Sequence, residues 1–334
     1  MDDRIAQLEG VCEHAFYFDL ALSKCEHRVE KVDGEEDDLR GVAMPPLVVS
    51  LARLLSARFR RAAAEDLDEA TSSISGATTT AALAAAVAAL SDRLGRRVSE
   101  ETAADMKRSV ESMLQTAKLG ASRELGMRPT LRLPDSRMQE WLSHAYPWWV
   151  GSYHSDVLGK QIMAIAQRAI IERGLSGREA ADLVRSQLTR LYGLGRGEKS
   201  PVAVPRSFRG NPDAYWAGLA NHAATTANVF ARLSAMEEAG VVTYVVRTAG
   251  DERVCGLCRF MEGREFKVAS GVGLREQILK ASTPEEYKAV VPWRTLKQAK
   301  AIFDGGGDVA LAAAGLGLPS YHLQCRCDIY ARES

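Results

Sequence analysis

The chain has no excess of charge of either sign: 43 Lys and Arg face 43 Asp and Glu, a formal net charge of zero. A neutral overall field does not draw a polyanion or an anionic membrane, so any nucleic-acid contact has to be local. Long apolar runs are also missing. The most apolar stretch, Ala81 to Leu90, falls well short of the roughly 20 residues that span a bilayer, and the opening MDDRIAQLEG is acidic where a secretory signal is basic. These absences predict a soluble chain, made and kept in a cytoplasm, with no membrane partner. Cysteine is scarce, at six in 334 residues, which excludes a disulfide scaffold. No Walker loop, G-x-S-x-G, H-E-x-x-H or Rossmann fingerprint occurs, so the common phosphate, acyl-transfer and dinucleotide chemistries have no carrier. What is present is 46% apolar residues, enough for a core and for one large or two to three smaller domains.

The fold class read from periodicity is mainly α: a helical N-terminal region followed by a small α+β C-terminal domain stapled by zinc. Residues 1–135 form the helical region. Ile5, Leu8, Cys12 and Phe16 share one face of a first helix. The acidic run 33–38 breaks it, and Pro45-Pro46 marks the next start. Val48, Leu51, Leu55 and Phe59 repeat the helical spacing. An Ala-rich helix is predicted near 77–94, and another opens at Ser99 with Met106, Val110, Met113, Leu114 and Ala117 on one side. Residues 136–192 are predicted as a helical hairpin region. It opens at the capping box Ser136-x-x-Gln139, includes a long helix from Tyr153 to Gly174, and restarts at a second box, Ser176-x-x-Glu179. Residues 193–211 combine glycine, proline and positive charge, and read as a linker.

Residues 212–334 change character. Pro212 at a first helical position opens a helix that Gly240 caps. Val241 to Val246 is β-branched and aromatic, hence a strand, and Arg264 to Val268 is a short return strand. Thr283-Pro284-Glu285-Glu286 starts a helix, Gly305-Gly306-Gly307 ends a helical region, and Asp328 to Ala331 is a last strand.

Four of the six cysteines lie in this unit. Cys255-Gly256-Leu257-Cys258 is a C-x-x-C turn, and far downstream stands His322-Leu323-Gln324-Cys325-Arg326-Cys327. Two tight groups of soft or borderline donors suit tetrahedral Zn²⁺, the cofactor expected here in a structural role. The long intervening segment has to be a folded insertion. His322 and Cys325, three apart, can converge, whereas Cys325 and Cys327 face opposite ways if they lie in a regular strand. The favoured set is therefore Cys255, Cys258, His322 and Cys325, with Cys327 as the alternative fourth ligand. A redox pair at Cys255 and Cys258 is disfavoured because the pair is read as a turn after a strand, not as a helix start in a βαβ unit. Four protein ligands leave no open position for substrate, which makes the site a staple and not a catalyst.

The run Glu237-Glu238-Ala239-Gly240-Val241, then Thr248-Ala249-Gly250-Asp251-Glu252-Arg253-Val254-Cys255-Gly256-Leu257-Cys258 and Glu262-Gly263-Arg264-Glu265-Phe266, closed by His322-x-x-Cys325-Arg326-Cys327, resembles the C-terminal module of phage Mu F-like minor head proteins. The resemblance covers about 212–331 and does not extend to 1–135. It implies a non-enzymatic head-morphogenesis protein of a phage or prophage-derived particle. Its partners are portal and capsid proteins, and its place is near the portal in head assembly, DNA packaging or ejection. The implied location is the virion or capsid interior, and the host cytoplasm during assembly. The alternative from another class is a zinc-dependent nucleic-acid-binding protein. It requires a basic face near the metal, where the sequence places Asp251, Glu252 and Asp328.

Three further groups stand out in the sequence. Cys12-Glu13-His14 and Cys25-Glu26-His27 hint at a second metal site, but helical geometry puts the two Cys–His pairs on different faces. Arg58, Arg60 and Arg61 could meet phosphates of packaged DNA, although Glu65, Asp66 and Asp68 follow closely. His222 shares a helix face with Leu219, Thr226 and Leu233, the pattern of a core histidine.

Overall fold

The change of hydrophobic period after Gly240 is matched in the backbone, with long helices before it and a small sheet laced with short helices after it. The computed structural model describes residues 46–76, 79–128, 133–153, 176–192, 212–251, 254–322 and 325–332, with a few isolated positions between them. Its helices before Gly240 are α1 Pro46–Ser75, α2 Thr80–Glu124, α3 Leu133–Tyr153, α4 Gly177–Tyr192 and α5 Pro212–Glu238. There follow β1 Thr243–Arg247, α6 Gly256–Met261, β2 Glu265–Lys267, α7 Val268–Ile278, α8 Pro284–Val290, α9 Leu296–Leu311, a π-helical turn Ala312–Leu316 and β3 Asp328–Ala331. The expected class, mainly α with a small α+β C-terminal region, is the observed one. The first predicted helix, the helix from Tyr153 and the linker 193–211 lie largely or wholly outside the described residues.

Helix boundaries follow capping chemistry. Ser176 and Glu179 form the predicted box: Glu179 accepts from the Ser176 N–H at 2.8 Å and its own N–H donates to Ser176 Oγ at 3.4 Å. Helix α5 ends as expected at Gly240, whose φ of +69° places it in the left-handed region that only glycine enters without strain. Val241 N–H reaches Met236 O at 2.9 Å and Gly240 N–H reaches Glu237 O at 3.2 Å, a Schellman closure.

Three boundaries depart from the reading of the sequence. The helices predicted near 77–94 and from Ser99 are one helix, α2, because Gly95 is the sole breaker between them and an isolated glycine costs only about 1 kcal/mol. Helix α3 begins at Leu133, ahead of Ser136. Pro134 is tolerated in a first turn, and Asp135 there meets the positive end of the helix dipole. At Gly306 and Gly307 the backbone leaves helical angles as predicted, yet α9 resumes and runs on to Leu311.

The chain forms two compact units. One gathers Ala52–Ala103 with Pro147–Trp216; there Leu55, Ala62, Ile74, Ala180 and Val184 are buried, and Arg185 donates to Thr71 Oγ1 at 2.7 Å. The second gathers Ala104–Tyr146 with Ala217–Ser334. Its core includes Met106, Val110, Met138, Leu142, Phe230, Leu233, Tyr244, Met261 and Ile329. Each such side chain contributes roughly 1.5–3 kcal/mol on burial. Trp141 also donates to Ala281 O at 3.0 Å and stacks on Tyr287, tying α3 to the segment before α8.

The sheet has the order β2-β1-β3, antiparallel throughout. Arg247 at the end of β1 is paired with Asp328 at the start of β3. This register brings the segment that leaves β1 and the segment that enters β3 to the same end of the sheet.

Candidate metal centre

The two Cys/His groups occupy those two segments, so strand pairing is what brings residues so distant in sequence into contact. On the first segment, Cys255 is the N-cap of α6, and its sulfur accepts the Cys258 N–H at 3.4 Å. This corrects the turn expected at Cys255–Cys258: the C-x-x-C straddles a helix start, because a cysteine sulfur can cap where an oxygen more often does. The sheet beside it is antiparallel and not part of a βαβ unit. Arg264 then locks α6 in place, its guanidinium lying between the rings of Phe260 and Phe303 and donating to Asp308 at 2.9 Å.

On the second segment, Cys325 N–H donates to His322 O at 2.9 Å, forming a turn. The carbonyl of Cys325 accepts from Asn221 Nδ2 at 2.9 Å and from Thr225 Oγ1 at 2.8 Å, both on α5. Arg326 makes two bonds to Asp251, at 2.5 and 2.7 Å, joining the second segment to the approach of the first. Asn221, Thr225 and the Arg326–Asp251 pair are contributors that pattern reading missed. No spacing rule links a helix near 221 to a loop near 325.

All five sequence-predicted donors come together. Cys255 Sγ lies 3.3 Å and Cys258 Sγ 3.1 Å from His322 Nε2, and Cys258 Sγ lies 3.9 Å from Cys325 Sγ. The donor atoms form two triads, Cys255–Cys258–His322 and Cys258–Cys325–Cys327, each with all atoms within 4.8 Å. The expectation that Cys325 and Cys327 face opposite ways does not apply, because regular strand begins only at Asp328. All four cysteines are free thiols, and Cys258, Cys325 and Cys327 are buried while Cys255 is half-buried. A cavity of about 20 Å³ opens beside Cys255, Cys258, His322 and Cys327.

The donors shift one another's titration in opposite directions. A hydrogen bond from Cys258, with help from His322, pulls the Cys255 thiol down to about 4 despite burial. Cys258 is pushed up, first by its contacts with Cys255, Cys325 and Cys327. Burial acts to raise Cys325, yet bonds from Cys258 and Cys327 hold it well below the usual thiol range. Burial acts to lower His322, but the sulfurs of Cys255 and Cys325 hold its imidazole above the ordinary value. Four sulfurs and an imidazole thus sit in contact and perturb one another's titration, a donor set of the kind that a divalent cation binds.

Behind the site, His222 is a packed core histidine: its Nδ1 lies 2.7 Å from Tyr146 Oη and its ring is 1% exposed. Burial pushes its imidazole down to about 4, so it stays neutral. Among the arginines considered for DNA, Arg61 pairs with Glu65 at 3.1 Å on an exposed helix face. The Cys12 and Cys25 groups lie outside the described residues. Among the described residues no helix is long and apolar enough to cross a membrane. In comparison with known proteins, no family model, curated protein or solved structure matches the chain.

Proposed function

We propose that one structural Zn²⁺ staples the C-terminal α+β body, and that the chain is a non-enzymatic phage-type minor head protein acting at or near the portal. The observation that carries the zinc reading is the convergence of Cys255, Cys258, His322, Cys325 and Cys327 from two ends of a folded insertion. Thiolate and imidazole donors select zinc over the oxygen-seeking Mg²⁺ and Ca²⁺. Four or more protein donors close the shell against substrate, which favours a staple over a catalyst. The head-assembly reading is supported by the resemblance of 212–331 to Mu F-like modules, with portal and capsid proteins as partners and the capsid interior as location.

Three arginines on the segments around the site are paired with carboxylates, Arg326 with Asp251, Arg247 with Glu262 and Arg232 with Asp328. Among the described residues these pairings offset positive charge beside the site, so the nucleic-acid alternative gains no support from them. Two measurements test the proposal. Protein purified without chelator is expected to carry about one zinc per chain by elemental analysis; absence of metal with all thiols free overturns the staple. Co-expression with a portal protein is expected to give a stable complex; failure to associate with portal or capsid proteins overturns the assembly role.

A further inference from the structure

We infer that Cys327, and not Cys325, closes the shell begun by Cys255, Cys258 and His322; this assignment rests on the zinc reading. The two donor triads share Cys258, and no four of the five donors lie in one mutual set. A tetrahedral shell that keeps the histidine-containing triad therefore needs one thiol of the second triad to turn toward it.

The surroundings decide which thiol turns. Cys325 is held at both of its peptide groups: its N–H by His322 O, and its carbonyl by Asn221 and Thr225, which use both lone pairs of the oxygen. Its side chain is 0% exposed, so rotation drives it into close-packed neighbours. Cys327 borders the small cavity with Cys255, Cys258 and His322, and Cys325 is not among the walls. Cys327 is also buried, at 3% exposed, but the cavity on its border gives room to turn that Cys325 lacks. Asn221 and Thr225 are then positioning residues, fixing the turn from which His322 and Cys327 reach the ion. Cys325 stays 3.9 Å from Cys258 Sγ; once the ion holds Cys258 as thiolate, the direction of that contact reverses and the Cys325 thiol donates to it as an outer-shell partner.

The test uses the full chain loaded with Co²⁺, whose thiolate charge-transfer absorption reports ligating sulfur. Cys325→Ser is expected to keep the spectrum and to weaken affinity by no more than the roughly 10–100-fold typical of outer-shell changes. Cys327→Ser is expected to lose more affinity than that, and Cys327→His to keep the ion with one thiolate fewer. Because Cys327→Ser can also unfold the site, proton NMR of the unsubstituted Co²⁺ protein supplies an independent reading. Strongly shifted β-protons should belong to Cys255, Cys258 and Cys327. Shifted β-protons on Cys325 instead, or ion loss from Cys325→Ser but not from Cys327→Ser, overturns the assignment and leaves the metal reading standing. An unsubstituted chain that takes up neither Co²⁺ nor Zn²⁺ overturns both.

Discussion

Two polar constellations stitch distant segments of the same compact unit, and they differ in completeness. At the first, Lys118 of α2 lies buried with its ammonium 3.0 Å from Asp135, 3.0 Å from Ser234 and 2.6 Å from Glu238. Ser234 in turn donates to Asp135, and Thr130 to Glu238. Every charged member has its partner inside the protein. The Cys/His corner instead gathers five donors of metal-ligand type with no carboxylate or ammonium among them. Burial alone therefore does not mark a binding site; the first cluster is a closed circuit, and the second is a set of donors that could hold a metal ion.

Removal of metal tests this difference most severely. Structural zinc sites are worth about 10–16 kcal/mol in apparent binding energy, comparable to or larger than the stability of a typical domain. Chelation, or Cys258→Ser, is expected to expose the amides of β1, β3 and α5 to hydrogen exchange, and those of 104–146 packed in the same unit. Unchanged protection shows that the corner, like the Lys118 cluster, is complete by itself. Lys118→Met comes next. It leaves two buried carboxylates without their cation, and a loss of about 3–5 kcal/mol is expected in denaturant unfolding. A loss under about 1 kcal/mol removes the contrast between the clusters.

The third prediction concerns pH. The folded pKa of His222 is pushed down to about 4 from an ordinary value of 6.5, so the unfolded chain binds the proton first. Stability from this group is complete above pH 6.5 and falls as pH drops toward 4, by on the order of 3 kcal/mol. Comparing His222→Gln with the parent chain between pH 4 and 7 isolates the effect; equal slopes remove it. The smallest effect is local. Thr295 caps α9 in a reciprocal box with Gln298, and Thr295→Ala is expected to cost about 1 kcal/mol while leaving metal content unchanged.

Local rules located the strands and the restart at Ser176, because β-branched and aromatic composition and capping chemistry act over a few residues. They also placed both halves of the Cys/His corner. They could not place the Lys118 cluster, since its partners at 135, 234 and 238 become neighbours only after three helices pack. The same holds for Asn221 and Thr225, which read as ordinary polar positions on α5 until the Cys325 carbonyl arrives. Ser136 misled because it satisfied the capping pattern three residues after a start that Pro134 and Asp135 already supported. Cys255 misled in the opposite sense: sulfur is an uncommon cap, so nothing local announced α6.

The sheet order sets a schedule for acquiring this structure. β1 sits in the centre, bonded to β2 close behind it in the chain and to β3 far downstream, with Val245 opposite Tyr330. Pairings so separated in sequence are slow to find one another. During synthesis the β1–β2 hairpin and Cys255 and Cys258 emerge from the ribosome long before Asp328 to Ala331. Until that late strand docks, one edge of β1 is bare and the early cysteines have no downstream partners. The nascent chain thus passes through a stage in which a half-built sheet and two waiting thiols are open to chaperones, to stray metals and to other strands.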